Sequence, residues 1–552
     1  MPTILAADMV LLKGQSTAIQ EVQIQPVPAG ATPATGSDFL QLRPGSAPPR
    51  GLATWLVDAL RAAIVAGRLP GGARLPATRA LAVDLGVSRG VVVSAYQRLV
   101  DEGLVSGRTG AGTVVTALAA ARDHGRPATG ATPADGHDQP PVPATAAVPL
   151  PASLPASLPA SLPASLPVSL PVPLRLPVEP VGPVEWDLSP GVPDLSAFPR
   201  AGWLRAERAV LGQATGADLR YGDPRGCLGL RRALVTWLAR TRGVRAEVED
   251  VIVVSGVAQA LALLAQVLRA QVLRAGGADA VAVEDPGSRG ARDQLRYWGL
   301  RPVPIEVDEL GLRVAELAGS GLDVAVLTPA HQFPTGVVLG PQRRRDLLAW
   351  AATGDRLVIE DDYDAEHRYD RAPVAALQSS APDRVAYTGS TSKSLAPGLR
   401  LGWLIAPRRL GADLVAAKHA SDLGSPVLPQ LVVAHLLASG DYERHLRQVR
   451  HRQRQRRDAL LAGLRKHLPE ARVEGVAAGL HLLITLPRRT GQVDDVELAA
   501  RAHAAGVFVH PLSWHRQRPG PPGLVLGYAA HPPDRLHAAA ERLAGAVRAA
   551  LR

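Results

Sequence analysis

Residues 390–402 read S-T-S-K-S-L-A-P-G-L-R-L-G. Lysine is scarce in this chain: of 61 basic side chains only four are Lys, and Lys393 is one of them. Where Arg has replaced Lys almost throughout, a retained amine points to chemistry. An amine condenses with an aldehyde to a Schiff base, whereas a guanidinium, always protonated, does not. The neighbours suit an anchored, phosphorylated aldehyde. Ser390, Thr391, Ser392 and Ser394 offer hydroxyls, Gly398 and Gly402 permit close backbone approach, and Arg400 supplies a fixed fork for a phosphate. A Ser/Gly loop with an ordinary surface lysine has the same composition, and only the flanking sequence separates the two.

Upstream, residues 358–364 read V-I-E-D-D-Y-D, an apolar run turning acidic. That pattern predicts a buried strand delivering carboxylates at its C-terminal end, where open α/β sheets bind ligands. A pyridoxal ring draws electrons only while its nitrogen is protonated, and a carboxylate held against that nitrogen keeps it so. Asp361 is assigned this role. Tyr363, two residues on and hence expected on the same strand face, is placed to hydrogen-bond the ring's phenolic oxygen. Alone, the segment would equally suit a solvated acidic turn or a divalent-metal site. With Lys393 it points to pyridoxal 5′-phosphate (PLP).

Three further segments extend the pattern. V-I-V-V-S-G-V-A-Q-A-L-A-L-L, residues 251–264, predicts a buried strand, a Ser-Gly turn and a helix whose first N–H groups, at Gly256, Val257 and Ala258, face a phosphate. V-E-D-P-G-S (283–288) and L-T-P-A-H-Q-F-P-T-G (327–336) are strand-end turns fixed by Pro and Gly. Phe333 or His331 is a candidate ring contact, and either is equally well loop packing.

Residues 186–550 resemble an aminotransferase of fold type I. T-P-A-H-Q-F-P-T-G, I-E-D-D-Y-D and R-Y-D-R-A-P resemble its regulator branch, as do W-D-L-S-P-G-V-P-D-L-S-A-F-P (186–199), Y-G-D-P-R-G (221–226), A-A-G-L-H-L-L-I-T-L-P near residue 480 and L-V-L-G-Y-A (524–529).

Residues 51–116 have a different grammar. An amphipathic helix begins near Leu52, a Pro/Gly turn follows, and two short helices flank L-G-V-S, with Gly86 allowing the tight turn and Ser88 expected to cap the second. Leu81, Leu85, Val92, Tyr96 and Leu99 form an apolar face. The Gly-rich stretch 107–112 bends two short strands into a wing, giving a winged helix-turn-helix. Arg79 and Arg89, at the starts of consecutive helices, suit phosphates or major-groove base edges, and Arg108 with the Gly110–Thr113 tip suits the minor groove. The segment resembles the GntR-family DNA-binding domain, which implies DNA contacts at Arg79, Ser88, Arg89, Gly90, Tyr96, Arg108, Gly112 and Thr113. One departure stands out: the recognition helix usually reads S-R-x-T, and Val91 stands here for the threonine, so a hydroxyl contact is lost.

The expected organisation is therefore a disordered extension (1–45), a GntR-type head (46–116), a Pro-rich linker (117–183) and an α/β PLP-dependent transferase of fold type I with large and small subdomains (184–552). The whole is similar to the MocR/GabR-type transcriptional regulators, whose cofactor domain senses small molecules. That resemblance implies a homodimer in which the head of one chain packs on the other's cofactor domain. The linker carries P-A-S-L repeats from Pro151 to Leu166. Proline at every fourth position breaks helix and ladder bonding alike, so an extended, semi-rigid spacer is expected. The arginine-dense tract 442–458, with Leu446, Val449 and Leu460 inward, reads as a solvated structural helix.

Composition agrees. A length of 552 residues with 46% apolar content supports several cores, and a net charge of +11 with pI near 10.3 favours a polyanionic partner such as double-stranded DNA. Cys227 stands alone, excluding internal disulfides and suiting a reducing cytoplasm. No apolar run is long enough for a bilayer span, and no metal site is expected.

Two functions stay open: a DNA-binding regulator answering a small amine, an amino acid or PLP itself, and a working aminotransferase with an appended head. An aminotransferase also needs a cation for the substrate carboxylate and a lysine to shuttle protons. Here the sequence departs from its relatives. The aromatic position after E-D-P-G, often Tyr, is Ser288, and the arginine some members place two residues on is Gly290. Leu524-Val525-Leu526 offers no carboxylate-binding arginine, although Arg516 and Arg518 lie a short loop away. Those gaps weaken the enzyme reading and count against an ordinary amino-acid effector.

Overall fold

A computed structural model describes residue 42 and residues 51–102, 104–108, 112–116, 184–275, 279–369, 374–486 and 494–550. The N-terminal extension apart from Leu42, the P-A-S-L linker, the Gly110 tip, the side chain of Arg108 and the end of R-Y-D-R-A-P lie outside the described residues.

The head follows its apolar spacing. Helix α1 (Leu52–Val65) buries Leu56, Val57, Leu60, Ala63 and Ile64, one stripe of a 3.6-residue period. After strand β1 (Arg74–Leu75), α2 (Thr78–Asp84) and α3 (Arg89–Asp101) cross at a turn where Gly86 takes φ +61°, a conformation that costs glycine little. Strands β2 (Val105–Arg108) and β3 (Gly112–Val115) form the wing, and β1 pairs with β3. Two expectations need correction. Ser88 occupies the N-cap position of α3, but its side chain makes no capping hydrogen bond. Tyr96 is 5% exposed and its hydroxyl donates to Pro76 O at 2.8 Å, so it belongs to the head's core and is unavailable to DNA. Its apolar periodicity, not its place on the recognition helix, decides its role.

In the body, short strand β4 (Trp186–Asp187) and helices α4 (Arg200–Gln213) and α5 (Leu228–Arg242) lead into the large subdomain. There β5 (Val251–Val254), α6 (Val257–Ala275), β6 (Ala280–Asp285), α7 (Arg289–Tyr297), β7 (Arg301–Asp308), β8 (Gly311–Leu312), α8 (Val314–Gly319), β9 (Val324–Leu327), α9 (Pro341–Ala352), β10 (Leu357–Asp361), β11 (Val385–Ser390) and β12 (Gly402–Ile405) alternate as α/β units. The eight strands run in the order β5-β12-β11-β10-β9-β6-β7-β8. Most are parallel, and β12 runs antiparallel to both its neighbours. Continuous apolar runs such as Val251–Val254 are buried on both faces, as helices on each side of a parallel sheet require. This order places β10 centrally and brings the ends of β5, β10 and β11 and the start of β12 to one edge.

Helices α10 (Arg408–Asp422), α11 (Val427–Ala438) and α12 (Asp441–His467) carry the chain to the small subdomain. That unit packs α12 and α14 (Pro533–Ala550) with α13 (Asp495–Ala504), the parallel pair β15 (Val507–Phe508) and β4, and a sheet of β13 (Arg472–Glu474), β14 (His481–Thr485), β17 (Gly523–Gly527) and β16 (His510–Pro511). The arginine-dense tract is structural as expected. Leu446, Val449 and Leu460 face inward, and Arg452 and Arg456 both pair with the buried Asp194. No described helix is long and apolar enough to cross a membrane.

Candidate functional site

The Lys393 loop joins β11 to β12 at the crowded edge. The Lys393 amine donates to Gly191 O, and a Cβ built at Gly191 (φ +87°) would lie 3.1 Å from that nitrogen, so the amine is seated against bare backbone. Burial pulls its pKa down against the opposing charges of Asp364 and Asp361, which enlarges the fraction of neutral, nucleophilic amine. From behind, α12 holds the loop. Tyr442 OH lies 2.7 Å from Ser394 Oγ, and His445 Nε2 lies 2.7 Å from Ser394 O. Ser394 and Thr391 are therefore occupied within the protein, the latter donating to Leu401 O; Ser390 Oγ accepts from Ser392 N–H at 3.3 Å and keeps its own proton for a ligand, as does the Ser392 hydroxyl.

Asp361 closes β10. Its Oδ1 is buried with no protein partner, and burial, with Asp362, Asp364 and Glu284 nearby, pushes the carboxyl up to about 7. A buried acceptor left so is costly and calls for a cationic N–H. Strand β10 ends at Asp361, so Tyr363 lies beyond it and does not share a strand face, a correction to the alternation argument. Tyr363 OH lies 3.2 Å from His331 Nδ1, and that nitrogen is 2.8 Å from Asp364 Oδ2. Burial raises and His331 lowers the Asp364 carboxyl, which stays below its ordinary value. His331, Asp364 and His481 bring ligand atoms within 4.8 Å of one another. Hydrogen bonds already engage His331 with Asp364 and His481 Nε2 with Pro334 O.

The turn expected to face a phosphate joins β5 to α6. Gly256 takes φ +95° before the α6 N-terminus at Val257, and Arg400, in the left-handed region at φ 48°, lays its guanidinium over Gly256 and donates to Ser255 O. A Cβ at Gly402 would sit 2.9 Å from Gly256 Cα and 2.7 Å from Gly389 O, so only glycine lets these strands meet. A left-handed arginine is strained, and such strain gathers at ligand clamps. Free N–H groups, a guanidinium and serine hydroxyls form an anion cradle. Cradle, amine and unpartnered Asp361 oxygen together fit PLP.

Phe333 stands beside Tyr363 at a centroid separation of 6.2 Å and is flanked by His481 and His515, each at 4.9 Å. The sequence flagged His331 and Phe333 but missed their neighbours Asp364, His481 and His515. A-A-G-L-H-L carried His481 in plain view, whereas nothing local marked His515, which arrives on the loop between β16 and β17. Also missed was a buried pair behind the strand. Arg242 Nε meets Asp362 Oδ2 at 2.7 Å, and Tyr387 OH donates to the same oxygen at 2.5 Å.

On the head, Arg79, Ser88, Arg89 and Gly90 are exposed at the starts of α2 and α3, and Gly112 is exposed at the wing with Thr113 half-buried beside it. Arg61 of α1 is held by Glu102 at 2.7 and 2.9 Å and lies over Gly243 at the end of α5, where a Cβ would sit 3.3 Å from its Nη1.

Residues 187–543 match the family described as aminotransferase class I and II, and residues 52–115 match the bacterial regulatory proteins of the gntR family. The chain is 30% identical to a probable rhizopine catabolism regulatory protein, MocR, of Rhizobium meliloti, over 86% of this chain and 89% of that one. It is also 30% identical to the pyridoxine biosynthesis transcriptional regulator PdxR of Corynebacterium glutamicum, over 88% and 94%. Among solved structures, the kynurenine aminotransferase of Pyrococcus horikoshii, in complex with PMP, superposes with a TM-score of 0.61 at 27% identity, covering 67% of this chain and 92% of that one.

Proposed function

The chain belongs to the MocR/GabR-type regulators of the GntR family, in which a winged helix-turn-helix is joined to an aminotransferase class I and II domain, and from that premise we propose how its residues divide the work of a PLP-dependent, DNA-binding transcriptional regulator. Lys393 is the anchoring amine. Asp361 holds the ring nitrogen protonated. Tyr363 and Phe333 flank the ring, while Gly256, Val257, Ala258, Ser390, Ser392 and Arg400 hold the phosphate. Bound there, PLP supplies a reactive carbonyl carbon and an electron-withdrawing ring.

The protein's own part is positional. Gly191 O orients the lysine amine, burial lowers its pKa, and α12 fixes the loop that carries it. Were a ligand amine to take the place of Lys393, the lysine amine would be left to Gly191 O, a local change able to bias a two-state arrangement of head and body. Arg79, Arg89 and Gly90 approach the major groove, with Gly112 and Thr113 at the wing.

Regulators of this type are typically dimers. Among the described residues, six of the twelve exposed large hydrophobics, Tyr221 at 89% one of them, lie from Leu195 to Leu228, which suits a surface covered by a second copy. The contact of Arg61 with Gly243 would then be made between chains.

The carrying observation is the buried, unpartnered Asp361 Oδ1 at the strand end facing Lys393's loop. The visible spectrum of the purified protein, before and after borohydride and with peptide mapping, tests it. Cofactor trapped on Lys393 and absent from Lys393→Ala is expected. A colourless protein that cannot be reconstituted would leave only a vestigial fold.

A further inference from the structure

Among the described residues, the two non-glycines with positive φ, Arg400 at 48° and Leu423 at 58°, lead to the same place. Arg400 donates to Ser255 O. Leu423 follows Asp422, whose Oδ2 accepts from Gln259 Nε2 at 2.7 Å, and Gln259 Oε1 in turn accepts from Ser255 N at 2.7 Å. Ser255 is thus held on its carbonyl from the loop before β12 and on its N–H from the end of α10. The Gln259 amide has one workable orientation, because its oxygen faces an N–H and its nitrogen faces a carboxylate.

Behind Asp422 stands a lysine. The sequence has only four, and the side chain of Lys418, one turn earlier on α10, is 0% exposed. Its amine bonds both Asp422 oxygens at 2.6 Å and Ser425 Oγ at 3.1 Å, which uses all three donors. A compact ammonium serves this three-way contact better than a planar guanidinium, a reason for lysine to persist in an arginine-rich chain. Asp422 Oδ1 also accepts from Gly424 N at 2.9 Å, which ties the Leu423 turn to the same carboxylate.

A lysine buried against one carboxylate is by itself a tertiary staple. This one has a direction. The Asp422 side chain is 28% exposed, so without Lys418 it turns to water, and Gln259 loses the acceptor that holds it on Ser255. Gly256, Val257 and Ala258, to which the proposed function gives the phosphate, follow directly in the chain. Resting on that cofactor reading, we propose that Lys418 is a positioning residue for the cofactor's phosphate, acting through Asp422 and Gln259 on the Ser255-Gly256 turn.

The test uses the full-length chain stripped of cofactor and titrated separately with PLP and with pyridoxal, which has the same ring and carbonyl but no phosphate, both followed by the visible band. Lys418→Met and Gln259→Ala are each expected to weaken PLP about tenfold and to leave pyridoxal within about twofold of the wild type. Lys418→Arg keeps the charge and is expected to recover part of the loss. Because the two residues act in series, the double variant is expected to lose no more than the worse single one. Equal weakening of PLP and pyridoxal, the mark of a merely structural lysine, would overturn the proposal. Unchanged PLP affinity in Gln259→Ala, or losses that add in the double variant, would overturn it too. If Lys418→Met does not fold, Asp422→Asn carries the same comparison. Wild-type protein that binds neither compound would instead sink the cofactor reading beneath it.

Discussion

In the head, Arg79 and Arg89 stand exposed with no ion pair among the described residues, whereas in the body Arg242 is 1% exposed and joined to Asp362, Arg231 holds Asp223, and Arg456 lies against Asp194. An Arg-rich composition hides this division, because the residue type is the same. An exposed guanidinium free of carboxylates keeps its donors for phosphate or base. A buried one with a bidentate or shared partner fixes tertiary structure, and removing either member strands a charge. Arg400 stands between the extremes: exposed, yet pinned over Gly256 where an anion is expected.

Breaking the buried side should have the largest effect. Arg242→Leu leaves Asp362 uncompensated beside Asp361, and a loss of about 3–5 kcal/mol in denaturant unfolding is expected. The double change Arg242→Leu with Asp362→Leu should recover much of it. If the single change were silent, the pair would not be structural. On the exposed side, Arg89→Ala should leave stability intact and weaken operator binding by about 1–3 kcal/mol, with a salt slope shallower by about one if the contact is to phosphate. Binding measured across several salt concentrations decides between phosphate and base.

Tyr96 sharpens the boundary between the two uses. Tyr96→Phe should cost about 1 kcal/mol of head stability through the lost bond to Pro76 O and leave the salt slope unchanged. A changed slope would return Tyr96 to the DNA face.

The smallest effect concerns pH. With Asp361 raised to about 7 from an ordinary 3.8, the folded cofactor-free protein binds a proton more tightly than the unfolded chain between those values. Its stability is then fully present below the lower value and falls as pH rises toward 7. Glu284 and Glu360, each near 7 by burial, act in the same sense. Buried histidines held below their ordinary value, His367, His481, His510 and His515, act in the opposite sense, so the comparison is with Asp361→Asn: the thermal midpoint of the cofactor-free wild type relative to that variant should fall as pH rises from 5 to 8. A difference that stays constant over that range would contradict the burial of Asp361.

Much of this was legible in the residues. The head's helices follow from apolar spacing, and the strand ends from runs such as V-I-E-D and V-I-V-V. Lys393, Asp361 and Arg400 were legible as candidates because amine, carboxylate and guanidinium chemistry is local, and the fold brings the three to one edge of the sheet. What was missed is non-local. Tyr96 is the exception, because the apolar stripe of the recognition helix already placed it against the core. Ser394 and Thr391 looked like ligand hydroxyls until α12 and Leu401 claimed them. His515 reaches Phe333 across nearly two hundred residues, and no short-range pattern announces that meeting.

The most direct measurement is the DNA affinity of the full chain, with PLP bound and removed, at one fixed salt concentration, for the wild type and Lys393→Ala. Coupling between pocket and head predicts a change of at least about fivefold in the wild type, in either direction, and none in Lys393→Ala. Equal affinities for loaded and cofactor-free wild type would contradict the account.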